Sequence, residues 1–159
     1  RAPAKAQEGA KKVNLNGLLA CYSNVGEALR DKGLACLGDA LVNLIYSLAL
    51  SLAKKRADGG KISNLVLERA LVNAGLRQLA PSRADRQRLA NVAESVIAYF
   101  WLRNLLTITN ASKIVADELA KRDLHERKEV RIAAEAGFTR LLLEIKRRAE
   151  IGQSQISKD

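Results

Sequence analysis

The sequence contains few of the residues that interrupt helices or form cross-links. Proline occurs only at positions 3 and 81, and no sustained alternation of apolar and polar residues marks a strand. The two cysteines, Cys21 and Cys36, lack CxxC spacing, and the only histidine, His125, lies in a charged stretch typical of a surface. These absences argue against a β-sheet protein, a disulfide scaffold and a zinc site. They favour a reducing, cytoplasmic setting.

Acidic residues are also comparatively few, with 17 Asp and Glu against 27 Lys and Arg, which gives a net charge of +10. Such a balance favours a polyanionic partner, nucleic acid first, although a generic basic surface would produce the same charge. No apolar segment of a signal peptide follows the basic residues 1–12, which we expect to form a mobile arm. The uncharged stretch 40–53 is too short to span a bilayer, so we predict a buried core helix and no membrane association.

Helical periodicity dominates the rest of the chain and predicts an all-α fold with about six helices. We expect one domain over residues 13–151 and a tail over 152–159. Ser63 is a candidate N-cap, Ser82 and Asp85 have the spacing of a capping box, and Asn110 or Ser112 could begin the fifth helix. The predicted helices cover residues 15–30, 34–56, 63–74, 83–106, 111–122 and 126–151.

Two acids, Asp39 and Glu94, each lie within a strongly apolar helical segment. A carboxylate moved into a low-dielectric interior neutralises, pairs or binds a metal ion. Asn43 lies one helical turn after Asp39, and Asn91 lies one turn before Glu94. If the two helices pack together, these hard oxygen ligands would suit Mg²⁺ or Mn²⁺. The alternative is that each acid pairs with Arg or Lys, or caps local backbone.

The segments around these acids resemble the two signatures of ribonuclease III catalytic domains. The first is Gly33-Leu34-Ala35-Cys36-Leu37-Gly38-Asp39-Ala40, whose Ala-x-Leu-Gly-Asp-Ala form looks like the mini-ribonuclease III branch. The second is Glu94-Ser95-Val96-Ile97-Ala98-Tyr99-Phe100-Trp101-Leu102. The resemblance covers roughly residues 15–143. It implies a homodimeric, Mg²⁺-dependent (or Mn²⁺-dependent) endonuclease that cuts double-stranded or structured RNA, with ribosomal RNA precursors as candidate substrates.

By matched position, the resemblance assigns Asp39 and Glu94 as the catalytic, metal-binding pair, with Asn91 as a further ligand and Asn43 in support. Lys32, Ala35 and Asn91 stand where the standard family has acids, and the mini branch is similarly reduced. We expect no separate double-stranded-RNA-binding domain after Asp159, another mini-like feature. The departures also fit a second hypothesis, a non-catalytic relative that binds RNA or the ribosome.

Three basic clusters are candidates for contacting RNA phosphates, and each could instead be a solvated helix face. The cluster of Arg83, Arg86 and Arg88 is favoured, because it lies at the start of the predicted helix that carries Glu94. The clusters are Lys54, Lys55 and Arg56; Arg83, Arg86 and Arg88; and Lys146, Arg147 and Arg148.

Overall fold

The computed structural model describes residues 13–156, and every regular element in this part of the chain is helical. The prediction of an all-α domain with about six helices is confirmed. Two 3-10 helices, Leu15–Leu19 and Arg77–Leu79, accompany the α-helices. The predicted arm at residues 1–12 lies outside the described residues, and the last helix continues into the predicted tail. The α-helices are α1 Val25–Arg30, α2 Lys32–Lys54, α3 Asn64–Asn73, α4 Arg86–Leu102, α5 Ile108–Leu119 and α6 Arg127–Ile156.

Side-chain caps, more than apolar periodicity, decide where the first α-helix begins. Asn24 Oδ1 accepts a hydrogen bond from the Glu27 backbone N–H at 2.9 Å, and the Glu27 carboxylate accepts one from Ser23 N–H at 2.8 Å. This arrangement is a variant of the capping box in which Glu27 bonds to the residue before the cap, and it starts a helix at the residue after Asn24. The single helix predicted over 15–30 is therefore wrong, because a 3-10 helix and α1 replace it.

The fourth and fifth helices also begin at residues other than the predicted ones. Asp85 itself caps α4, since its Oδ1 accepts from the backbone N–H of the third helical residue at 2.9 Å. The helix ends at Leu102, shortly before Asn104 adopts a left-handed φ of 57°. Thr107 caps α5 through a 3.1 Å bond from Asn110 N–H, so neither Asn110 nor Ser112 is the cap. In each case a polar side chain reaches orphan backbone donors that the apolar pattern does not reveal.

Helix α2 occupies the centre of the fold and packs against α4 and α5, while α6 packs against α3 and α5. The core draws one or more fully buried side chains from each of these helices, and each such burial contributes about 1.5–3 kcal/mol. The largest include Ile45, Leu67, Ile97, Leu119 and Phe138. This packing fixes α2 against α4, the two helices that carry the candidate acids.

By length and composition alone, α2 is the one helix among the described residues that could cross a membrane, with a mean hydropathy of 1.6 over its most apolar window. Half of that window is buried inside the fold. Its partners are α4 and α5, so α2 has the environment of a core helix, as predicted for residues 40–53.

Candidate active site

The candidate site lies where α2 crosses α4 with almost no space between their backbones. A Cβ atom added to Gly38 would lie 2.3 Å from the carbonyl oxygen of Glu94 and 2.9 Å from its Cβ. Only glycine permits this approach, because any larger residue would force the helices apart. Gly38 therefore places the following residue, Asp39, beside Glu94.

Asp39 and Glu94 line one cleft of about 410 Å³, as their predicted convergence requires. Glu94 is only 4% exposed, whereas Asp39 is half-buried. Among the described residues, no Lys, Arg or His forms an ion pair with either acid. Burial, the adjacent Asp39 charge and a hydrogen bond to Asp39 raise the pKa of Glu94 to about 8, while Lys61 acts in the opposite direction. Without a metal ion, Glu94 is therefore largely protonated at neutral pH.

Asn43 lies one turn after Asp39 on α2 and holds its carboxylate in place. Its Nδ2 donates to Asp39 Oδ1 at 3.2 Å, and its Oδ1 accepts from the backbone N–H of Ile62 at 2.9 Å. Both ends of the amide are therefore engaged within the protein. This arrangement orients the Asp39 carboxylate, and Asn43 itself is not among the residues that line the cleft, so its role is to support Asp39.

Asn91 lines the same cleft one turn before Glu94, and its amide oxygen is already hydrogen-bonded. Gln87 Nε2 donates to Asn91 Oδ1 at 2.8 Å, and Asn64 Nδ2 donates to Gln87 Oε1 at 2.6 Å. The three amides form a chain from α3 to α4. Asn91 lines the cleft, and its carbonyl oxygen has a second lone pair that remains able to accept a hydrogen bond or bind a metal ion.

A row of polar residues on α2 holds the following loop against the helix. Ser51 Oγ bonds to both the N–H and the C=O of Asp58 at 2.9 Å, and Ser47 Oγ bonds to both groups of Gly60 at 3.1 Å. Asn43 continues the row at the same spacing of four residues by accepting from Ile62. This row, which we call the α2 ladder, fixes the backbone on both sides of the next loop residue, Lys61.

Two lysines, Lys32 and Lys61, line the cleft beside the acids. Sequence reasoning noted Lys32 as a departure from the family and missed Lys61. An isolated lysine in a loop belongs to no basic cluster and has no helical periodicity. The only available signal was its position two residues before the Ser63 cap of α3. Both ammonium groups lie where they could neutralise an anionic substrate.

The basic clusters predicted to contact RNA differ in how free their charges are. Arg86 pairs with Glu68 at 3.0 Å, and Lys54 pairs with Asp58 at 2.6 Å. Arg88 lines a cavity of about 120 Å³ that adjoins the cleft. The third cluster is largely internal to its helix, because Arg147 and Arg148 both bind Glu144. The three remaining members of the first two clusters are exposed: Lys55, Arg56 and Arg83.

The donor set determines which metal ion the cleft could hold. No group of three or more His, Cys, Asp or Glu residues converges anywhere in the described part of the chain. Asp39 and Glu94 provide two carboxylates, one of them buried without a cationic partner. Mg²⁺ is commonly bound by one or two carboxylates, with waters and substrate phosphates completing its shell. The residues present therefore fit Mg²⁺ or Mn²⁺ with open coordination positions, and they do not fit zinc.

Comparison with known proteins agrees with this geometry. Among curated proteins, no match to the chain is found. A family model described as Ribonuclease III matches residues 32–151, which include α2, α4 and both acids of the cleft. The match spans three quarters of the 159 residues. This chain therefore belongs to the ribonuclease III family.

Proposed function

We propose that the chain is a divalent-metal-dependent endoribonuclease that cleaves double-stranded or structured RNA. The observation that carries this proposal is the convergence of Asp39 and buried, unpaired Glu94 at the Gly38 crossing. A fold that needed these acids only for stability would give them cationic partners, because a buried acid without one is destabilising when it is ionised. Strongly shifted acids in a cleft are typical of catalytic sites.

The two carboxylates would hold the metal ion, and each depends on its surroundings. Asn43 orients Asp39, and the amide chain that ends at Asn91 borders Glu94. Metal binding would require Glu94 to lose its proton, so we expect proton release on binding. A bound Mg²⁺ or Mn²⁺ supplies an activated water and stabilises charge at the phosphodiester.

The direct test is incubation of the protein with duplex RNA and Mg²⁺ or Mn²⁺, with chelator as the control. Asp39→Asn and Glu94→Gln should each lower the cleavage rate by more than about a hundredfold, since even the outer partners of metal ligands affect activity 10- to 100-fold. Asp117→Asn is a matched control, because it removes an exposed carboxylate of α5 that pairs with Lys113. Full metal-dependent cleavage by both site variants would reject the assignment.

The second hypothesis, an RNA-binding relative without catalysis, draws support from Lys32 and Ala35. These residues line the cleft where a larger acidic ligand set would bind metal more tightly. The same experiment separates the hypotheses. A non-catalytic binder retains duplex RNA in EDTA and yields no product at any Mg²⁺ or Mn²⁺ concentration.

We further propose that the protein is a homodimer, because cutting both strands of a duplex requires two symmetry-related sites. An exposed apolar stripe on α2 supports this proposal. Its residues share one helix face and are between 37% and 56% exposed. They are Leu37, Leu44, Leu48 and Leu52.

The dimer proposal is tested with the double variant Leu44→Glu/Leu48→Glu, which places two like charges in the stripe. We expect light scattering to show a dimer for the native protein and a monomer for this variant. Leu143→Glu is the matched control, because Leu143 is equally exposed at 44% and lies on α6. A native protein that remains monomeric at micromolar concentration would contradict the proposal.

A further inference from the structure

A basic groove adjoins the catalytic cleft, and Lys61 lines both. The groove encloses about 330 Å³ between the loop that follows α2, the start of α3 and the start of α6. Because Lys61 lines both depressions, the groove and the cleft are neighbours on the surface. The groove lies at the start of α6, whereas the predicted basic cluster on that helix, Lys146, Arg147 and Arg148, lies in its second half.

The charge of this groove is entirely of one sign. Lys61, Arg127 and Arg131 line it with His125, and none of its lining residues is acidic. In the described part of the chain, none of these three cations has an acid within ion-pair distance. The contrast with Arg86 is direct, because that residue is held by Glu68. The groove cations are therefore available to bind an anion.

Lys61 has a defined position, although its side chain is exposed. The α2 ladder holds the loop backbone on both sides of it, through Gly60 and Ile62. Arg127 and Arg131 are one helical turn apart, so they lie on the same face of α6. Apolar residues line the groove beside these cations, among them buried Tyr46 and Val66. Several cations beside apolar lining residues suit a polyanion whose charged groups repeat along its length.

We propose that this groove binds the sugar–phosphate backbone of the RNA strand as it leaves the catalytic cleft, with Lys61, Arg127 and Arg131 contacting its phosphates. The inference rests on the proposed function and specifies the path of the substrate. Duplex RNA is recognised mainly through phosphates and 2′-hydroxyls, and guanidinium groups bind phosphate oxygens in pairs. Ser63 is an exposed residue that also lines the groove, and its hydroxyl, which accepts from Val66 N–H, keeps a proton to donate to a ribose.

The test measures binding of a labelled RNA duplex by fluorescence anisotropy in EDTA, over a series of KCl concentrations. Arg127→Gln/Arg131→Gln should weaken binding about tenfold and reduce the slope of log Kd against log salt by about 1 to 2, because phosphate contacts release counterions. Lys128→Gln is the matched control. Lys128 adjoins Arg127, is exposed and carries the same charge, but it does not line the groove.

Cleavage kinetics then separate substrate positioning from chemistry. The double variant should raise the RNA concentration for half-maximal rate about tenfold and leave the rate at saturation within about twofold of the native value. Lys61→Gln should lower both affinity and saturated rate, because Lys61 also lines the cleft. All three groove residues are exposed, so the variants should melt at the native temperature.

The outcomes distinguish this inference from the proposed function. If the double variant matches Lys128→Gln in affinity and salt slope, the groove is not the RNA path, even when the native protein cleaves RNA. If the native protein binds duplex RNA through the groove and cleaves none with any metal ion, the proposed activity fails and the groove assignment stands. Native protein that binds no RNA at low salt overturns both.

Discussion

Two glutamates of this domain occupy opposite electrostatic environments. Glu94 is buried beside a second acid, which raises its pKa to about 8. Glu144 on α6 accepts hydrogen bonds from Arg147 at 2.6 Å and from Arg148 at 2.8 Å, and these bonds lower its pKa to about 2. Glu144 thus has two cationic partners, whereas Glu94 has none among the described residues. At the α2–α4 crossing the domain leaves an acid unpaired at a cost in stability, as expected for a functional site.

Gly38→Ala should have the largest effect on this contrast, because it disrupts the close packing of α2 against α4 that brings Glu94 beside Asp39. The new methyl group would meet the backbone of Glu94, which cannot rotate away, so α2 and α4 must separate. We expect the free energy of unfolding to fall by about 3 kcal/mol or more. Denaturant unfolding measures the effect. Gly17→Ala is the control, because a Cβ there meets nothing within 4 Å, and equal stability of the two variants would contradict the prediction.

Glu94→Gln should have the next largest effect and should stabilise the metal-free protein. The folded-state pKa of Glu94 lies above its ordinary value of 4.5, so native stability declines as pH rises from about 4.5 to about 8. Glutamine does not titrate and avoids this loss. We expect a gain on the order of 2–4 kcal/mol at pH 9 and almost none at pH 4.

Unfolding in EDTA across this pH range checks that prediction. Glu126→Gln, which removes an exposed glutamate, serves as the control and should show no such pH dependence. If the stability of Glu94→Gln follows the same pH dependence as that of the native protein, the pKa of Glu94 is not raised in the folded state.

Asn91→Asp sharpens the contrast between the two glutamates by adding a third acid to the cleft that holds Asp39 and Glu94. The metal concentration needed for half-maximal cleavage should fall roughly tenfold, which corresponds to about 1.4 kcal/mol of added attraction. The metal-free protein should lose about 1 kcal/mol of stability because like charges are brought together. A metal titration with a melting curve tests both effects, and an unchanged midpoint would mean that Asn91 is not a ligand.

Glu144→Gln should give the smallest effect and the opposite pH dependence. The folded-state pKa lies below 4.5, so the stabilisation is present at neutral pH and is lost as pH falls from about 4.5 to about 2. The group is partly solvated, so we expect a loss of about 1 kcal/mol at pH 7. Melting curves at pH 7 and pH 2 should differ between the proteins only at the higher pH.

The sequence contained the chemistry of the site more fully than its geometry. Apolar neighbours distinguished Asp39 and Glu94 from other acids, and Ser63 was recognised as a cap because its hydroxyl bonds locally. The partner of Arg86 was not predictable, because Glu68 lies 18 residues earlier on another helix. Lys61 was missed for the same reason. Its position beside the cleft is fixed by long-range hydrogen bonds from the neighbouring Gly60 and Ile62 N–H groups to side chains of α2. Local signals predict local structure, and tertiary contacts decide which charges remain free.

The backbone contact at Gly38 has a consequence for how the interior of this domain can vary. Because a Cβ at Gly38 would meet the main chain of Glu94, the two helices can approach this closely only with glycine at that position. We expect small substitutions at core positions such as Val42 or Ile97 to lower the melting temperature more than they change the distance between Asp39 and Glu94. One residue without a side chain thus sets how near the two carboxylates lie, and the apolar residues around it set how firmly the crossing is held.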